Sequence, residues 1–161
     1  MCRVGGRRRS ITGQLGNILT PPGNSVQGKV LVAGSASGLA LLLHEPLSFW
    51  GGFDPRNGKI IDVHHPQYGT RTAGSVMFIP ESRGSAGTPG AIAEALRNGN
   101  GPAAFVLAKT DLKISVGVMV ANRLYNLDVP VIEISMPLIK QVSSGNEIRI
   151  NPEGLIDWRK G

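Results

Sequence analysis

Cysteine is all but missing from this chain. Cys2 stands alone among 161 residues, which excludes an internal disulfide and any cluster of thiolate metal ligands within the chain. Charged residues amount to only 17% and aromatic residues to 5%, so a disordered, self-repelling chain and an aromatic base-stacking platform are both excluded. Long hydrophobic runs are lacking too. Gly38–Leu43 is one of the longest, far short of the roughly 20 apolar residues that a bilayer-spanning helix needs. The arginines near the N-terminus are followed by no apolar segment, so no secretory signal is visible and a cytoplasmic location is expected.

What is present is a globular composition, 41% hydrophobic, in a chain long enough to bury one core without disulfides or metal. The formal net charge of +6 and the pI near 10.0 owe much to Arg3, Arg7, Arg8 and Arg9. After Ser10 the balance is near neutral and no cationic–aromatic interleaving appears, so nucleic acid is not an expected partner. Residues 1–27, with Pro21-Pro22-Gly23 and little periodicity, are expected to form a flexible basic arm. Residues 28–161 are expected to form the single domain.

Within that domain the spacing predicts strands at Gly28–Ala33, Ser75–Ile79, Ala103–Ala108 and Val129–Ile134, each short, apolar and β-branched or aromatic. Gly38–Leu43 is a further apolar element, strand or short helix. Phe49–Gly58 ends in a turn and returns through a strand at Lys59–Val63, giving a hairpin-like unit in which Trp50 and Phe53 serve packing. A helix is predicted over Ile114–Leu127 with Val116, Val120 and Leu124 on one face. The last element is a hairpin over Asn146–Trp158 around Asn151-Pro152-Glu153-Gly154, expected to join the N-terminal strands. Strand and helix alternate through the middle of the chain, which implies right-handed crossovers and a parallel sheet core. The fold class is therefore α/β, with a parallel core, a β-rich N-terminal half and a C-terminal hairpin; no internal repeat is apparent.

The stretch Pro80–Gly90, Pro-Glu-Ser-Arg-Gly-Ser-Ala-Gly-Thr-Pro-Gly, lies between the strand ending at Ile79 and a helix through Ala91–Arg97. Thr88 is expected to cap this helix, Pro89 to occupy its first position and Ile92, Ala95 and Leu96 to face the core. Gly84 and Gly87 allow backbone amides to approach a ligand, and the helix N-terminus adds partial positive charge beside Arg83. Such a loop suits a carboxylate or phosphate. It also suits Ser85 as a reactive group, since the same donors would stabilise an alkoxide or an enolate-like intermediate. A strand, a glycine turn and a helix are ordinary architecture on their own. His64 and His65 titrate near neutrality, but on a strand adjacent side chains point to opposite faces, so a shared metal ion is not expected and hydrogen bonding is.

From Gly28 to Trp158 the chain resembles the small subunit, or swivel domain, of the aconitase X family. The resemblance rests on Ser48-Phe49-Trp50-Gly51-Gly52, Gly58-Lys59-Ile60-Ile61-Asp62, His65-Pro66, Arg83-Gly84-Ser85, Gly101-Pro102-Ala103-Ala104 and Val129-Pro130-Val131-Ile132-Glu133, in that order. It implies a swivelling β/β/α domain that closes over a large aconitase X subunit in a heterodimer. It implies that the loop delivers Ser85 as catalytic base, with Arg83, Gly84, Ala86, Gly87, Thr88 and His65 around the substrate. An iron or iron–sulfur centre would be held by cysteines of the large subunit, with no metal held by this chain. The implied reaction is dehydration of a small hydroxy acid. The Ala86-Gly87-Thr88-Pro89 continuation resembles the group acting on cis-3-hydroxy-L-proline, giving Δ1-pyrroline-2-carboxylate; the alternative is the group acting on mevalonate 5-phosphate. Two other classes stay open on the residues alone: a non-catalytic docking module, in which the basic arm recruits an acidic partner, and a phosphoryl carrier using His64 or His65.

Overall fold

The computed structural model describes residues 23–160; the basic arm through residue 22, with Cys2 and its arginines, lies outside the described residues. Ten strands form, in chain order β1 Asn24–Gln27, β2 Lys29–Val32, β3 Ala36–Leu42, β4 Phe53–Asp54, β5 Lys59–Ile60, β6 Val76–Ile79, β7 Ala104–Leu107, β8 Val131–Glu133, β9 Glu147–Ile150 and β10 Leu155–Arg159. The helices are α1 Thr88–Arg97, α2 Leu112–Tyr125 and the single turn α3 Met136–Ile139.

Eight strands share one sheet in the order β1-β10-β9-β3-β6-β7-β8-β2, and β4 pairs with β5 apart from it. The run β3-β6-β7-β8 is parallel, as the alternation of strand and helix demands. The flanks are antiparallel: β9 on β3, β10 on β9, β1 on β10 and, at the other end, β2 on β8. Gly38–Leu43 is thus a strand, and the C-terminal hairpin joins β3 and β1. The result is a mixed α/β fold with a parallel core and antiparallel strands.

The two edge strands are neighbours in sequence. Asn24–Gln27 and Lys29–Val32 flank Gly28, whose amide donates to the Gly154 carbonyl at 2.9 Å, so one bent segment supplies both ends of the sheet and curls it on itself. A Cβ at Gly28 would stand 2.2 Å from the Ile132 side chain, which is why the bend needs glycine. The strand at Asn24–Gln27 corrects the expected arm boundary at residue 27. Its composition is polar and its exposure high, so an edge strand with one paired side carries no apolar signal.

Every residue of β6 and β7 is buried, and alternate side chains feed two cores. Met77, Ile79, Phe105 and Leu107 pack with Ile92, Ala95, Ile114, Val118 and Ala121 of α1 and α2. Val76, Phe78, Ala104 and Val106 pack with Ile139, Ile148, Ile156 and Trp158 on the opposite face, so the antiparallel strands close the side that the helices leave open. The excursion from Ser48 to Thr72 is pinned to the helical core by Phe49, which meets Phe53 and Phe105 edge to face at 5.5 and 6.1 Å between ring centroids.

Two local expectations change and a third is made specific. The return strand after the Asp54–Gly58 turn is only Lys59–Ile60, because Ile61 and Asp62 donate their amides to Gly52 instead of continuing the ladder. His64 and His65 stand in a turn, not on a strand. The face of α2 carrying Val116, Val120 and Leu124 points outward, with exposures of 46, 42 and 66%. Ile114, Ser115, Gly117, Val118 and Ala121 are the buried set. The small residues win because α1 lies so close: a Cβ on Gly117 would come 2.8 Å from the Pro89 carbonyl oxygen, a gap that Val116 or Val120 could not enter.

Candidate active-site loop

Residues 80–87 join the carboxyl end of β6 to α1, the edge of a parallel sheet where ligands bind in open α/β folds. The Gly87 amide donates to Ser85 Oγ at 3.2 Å, and the Thr88 amide to the Ser85 carbonyl, also at 3.2 Å. Ser85 therefore folds back over the start of α1, with its oxygen accepting a bond from the helix N-terminus. Among the described residues, no acceptor takes the amides of Gly84, Ser85 or Ala86. Three backbone donors of the loop are thus left free to bind a ligand.

Gly87, not Thr88, is the N-cap of α1; Thr88 is its first residue and Pro89 the second. The expected cap is corrected for a steric reason. Thr88 is packed inward at 1% exposure, and its Oγ1 has no hydrogen-bond partner among the described residues, so it turns from the helix end toward Gly84. A Cβ on Gly84 would stand 3.2 Å from Thr88 Oγ1. A Cβ on Gly87 would stand 2.6 Å from the Trp50 ring, so Gly87 is needed for close approach.

Arg83 is largely exposed, and its guanidinium lies 3.6 Å from the Asp62 carboxylate. Together with Ser48, Trp50, Gly51, Gly52, Ile61 and Val63 they line a cleft of about 440 Å³ beside the loop. A larger hollow of about 530 Å³ is lined by residues of the antiparallel strands such as Leu39, Arg149 and Asp157, and none of the loop residues borders it. His65 is buried. Its Nδ1 accepts from the Gln67 amide at 3.1 Å, so Nε2 carries the proton and donates to the Glu45 carbonyl at 3.1 Å. With both nitrogens engaged by backbone groups, its ring holds this turn together. Ser85, Gly84, Gly87 and Thr88 are brought together at the loop, Ala86 lies exposed on it, Arg83 stands at its cleft side, and His65 is held within its own turn.

Two contacts of the loop escaped the sequence. Trp50, 65% exposed, forms the wall against Gly87. Lys113, in the first turn of α2, donates from Nζ to the Gly84 carbonyl at 3.0 Å. The only signal for it was topological: parallel β6 and β7 place their following loops side by side.

Among the described residues no group of three His, Cys, Asp or Glu side chains could hold a metal ion, so these residues do not fit an iron centre. Further along the same strand edge, Thr110 donates its hydroxyl to Glu133, and this bond, helped by Lys29, holds the Glu133 carboxyl below the usual carboxylate range. In the β4–β5 turn the Arg56 amide and guanidinium lower Asp54 in the same way. On α1, the Arg97 guanidinium and the Asn98 amide lower Glu94 to about 2.

The family model described as the aconitase X swivel domain matches residues 25–158. The chain belongs to that family. Among its swivel-domain relatives, a cis-3-hydroxy-L-proline dehydratase of Pseudomonas aeruginosa is 41% identical over 103 residues, covering 64% of this chain and 18% of its own length. A phosphomevalonate dehydratase small subunit of Methanothermobacter thermautotrophicus is 35% identical over 97 residues, covering 60% of this chain and 74% of its own. The chain spans about a fifth of the length of the hydroxyproline dehydratases it matches. A chain of the crystal structure of Thermococcus kodakaraensis aconitase X in its holo-form superposes with a TM-score of 0.76 at 22% identity, covering 86% of this chain and all of that one; it shares the fold. No helix among the described residues is long and apolar enough to cross a membrane.

Proposed function

We propose that this swivel domain is the small subunit of an aconitase-like hydro-lyase, working as a heterodimer with a large subunit. The proposed reaction is dehydration of cis-3-hydroxy-L-proline to Δ1-pyrroline-2-carboxylate, with Ser85 as the base. The observation that carries the proposal is the bond from the Gly87 amide to Ser85 Oγ at the N-terminus of α1. A serine hydroxyl is a poor base in water. An amide donor and a helix N-terminus at the oxygen stabilise negative charge there, and closure of a partner over the loop removes competing water.

Ser85, as alkoxide, takes the proton from the carbon next to the carboxylate. The electrons of that C–H bond form a C=C bond as the C–O bond of the hydroxyl breaks; the departing hydroxide takes up the proton from Ser85 and leaves as water, restoring the base, and the enamine so formed tautomerises to the C=N bond of Δ1-pyrroline-2-carboxylate. The amides of Gly84, Ser85 and Ala86 receive the charge that accumulates on the carboxylate, with Arg83 and the Thr88 hydroxyl at either side. The iron or iron–sulfur centre belongs, in this proposal, to the large subunit, and this chain contributes the base and the donors. The isolated chain is then inactive.

Mevalonate 5-phosphate is the second substrate reading, supported by similarity to phosphomevalonate dehydratase small subunits over most of their length, 96% in Thermococcus onnurineus at 28% identity. Both acids lose a proton next to a carboxylate, so the Ser85 chemistry is common to them. The test is to purify this chain with its large subunit anaerobically and assay both acids side by side. Turnover of cis-3-hydroxy-L-proline alone is the expected result. Turnover of mevalonate 5-phosphate alone would transfer the assignment, and no dehydration of either acid by an iron-loaded complex would refute both.

A further inference from the structure

We infer that Lys113 is a positioning residue for the Ser85 loop, acting through the Gly84–Ser85 peptide; this deepens the proposed role of Ser85 and rests on it. Asp111 caps α2, its carboxylate accepting from the amides of Lys113 at 2.8 Å and Ile114 at 3.3 Å. The Ser115 hydroxyl donates to the Asp111 carbonyl at 2.9 Å. The backbone from which Lys113 springs is thereby fixed. Its side chain crosses from the β7–α2 connection to the β6–α1 loop, where Nζ donates to the Gly84 carbonyl oxygen at 3.0 Å. Its Cδ would lie 3.3 Å from a Cβ on Gly84, so the stem is packed on the loop as well as hydrogen-bonded to it.

The consequence follows from peptide geometry. In a trans peptide the C=O and N–H point in opposite directions. An ammonium that holds the Gly84 carbonyl on the α2 side therefore turns the Ser85 amide to the other side, and that amide has no acceptor among the described residues. The same bond draws electron density toward the carbonyl and makes the Ser85 N–H a stronger donor. Thr88 Oγ1, buried and without a partner among the described residues, lies on the same glycine. Arg83, the cation that the sequence places nearest to Ser85, is instead turned to Asp62. Among the described residues, Lys113 is thus the cation that reaches the serine loop from another element.

The experiment compares wild type, Lys113→Met and Lys113→Arg in the complex with the large subunit, on whichever acid the wild type dehydrates. Lys113→Met keeps the length and apolar contact of the stem and removes the donor. It is expected to lower kcat by about 10- to 100-fold, the scale of a small misplacement of a reacting group, with KM changed less than about threefold and the thermal midpoint unchanged. Lys113→Arg is expected to restore most of the rate. Combined with Ser85→Ala, which keeps the backbone amide of residue 85, Lys113→Met should cost less than it does alone, because the part of its effect that passes through the Ser85 hydroxyl is already lost. Hydrogen exchange at the Gly87 amide of the same complex reads the loop without turnover, and should be about tenfold faster in Lys113→Met. A normal kcat, a loss that arginine does not restore, a loss that follows a lowered thermal midpoint, or unchanged Gly87 exchange would each overturn the inference. If Ser85→Ala keeps full activity while Gly87 exchange still responds to Lys113→Met, the serine assignment fails and the Lys113 contact stands.

Discussion

Helices α1 and α2 cover the same face of the sheet and pack on each other, yet their sequences announce their burial very differently. In α1 the apolar residues Ile92, Ala95 and Leu96 are also the buried ones. In α2 the apolar residues divide between two faces: Leu112, Val116, Met119, Val120 and Leu124 are exposed, while Ile114 and Val118 are buried together with Ser115, Gly117 and Ala121. The difference teaches that hydrophobicity selects the inward face only when one face is apolar. Where both are, the closeness of the neighbouring backbone decides, and Gly117 against Pro89 is that decision.

The comparison can be tested by substitution. Ile92→Ala on α1 should cost about 2–5 kcal/mol in denaturant unfolding, as a large buried aliphatic does when a cavity replaces it, whereas Val120→Ala on α2 should stay within about 0.5 kcal/mol. Equal effects would put the outward face of α2 in the core. Gly117→Val should cost about 1–3 kcal/mol by forcing the two helices apart, and a neutral result would mean that they do not touch there. Asp111→Ala should cost about 1 kcal/mol through loss of the α2 cap, an effect without counterpart on α1, whose Gly87 cap has no side chain to lose. The smallest effect concerns pH. Glu94 is held at about 2 against an ordinary 4.5, so its pairing with Arg97 contributes in full above pH 4.5 and is lost as pH falls toward 2. Because the pair is exposed, Arg97→Ala should lower the thermal midpoint only slightly at neutral pH, and the difference from wild type should disappear as pH falls toward 2.

The same contrast explains what was legible in the sequence. The parallel core was, because Val76–Ile79 and Ala104–Leu107 are apolar throughout and alternate with helices. The Ser85 loop was, because its glycines and the helix behind it are contiguous in the chain. Asn24–Gln27 was not, since an edge strand needs only backbone pairing. Nor was Lys113, which reaches the loop from the next strand–helix unit, about thirty residues on, through a contact that topology makes and spacing does not encode. His65 was legible in part: hydrogen bonding rather than a shared metal ion was expected of it, and the bonds to Glu45 and Gln67 supply the partners that the sequence could not name. Thr88 has cap chemistry, but its burial against Gly84 gives that place to Gly87.

The central claim is that the serine at the start of α1 does the proton chemistry of the assembled enzyme. It is tested most directly by Ser85→Ala in the complex with the large subunit, with complex formation followed by size-exclusion chromatography and dehydration by product formation. The account predicts an intact complex whose kcat falls by about 10²- to 10⁴-fold, the usual contribution of a positioned base. An intact complex that turns over at the wild-type rate would contradict it.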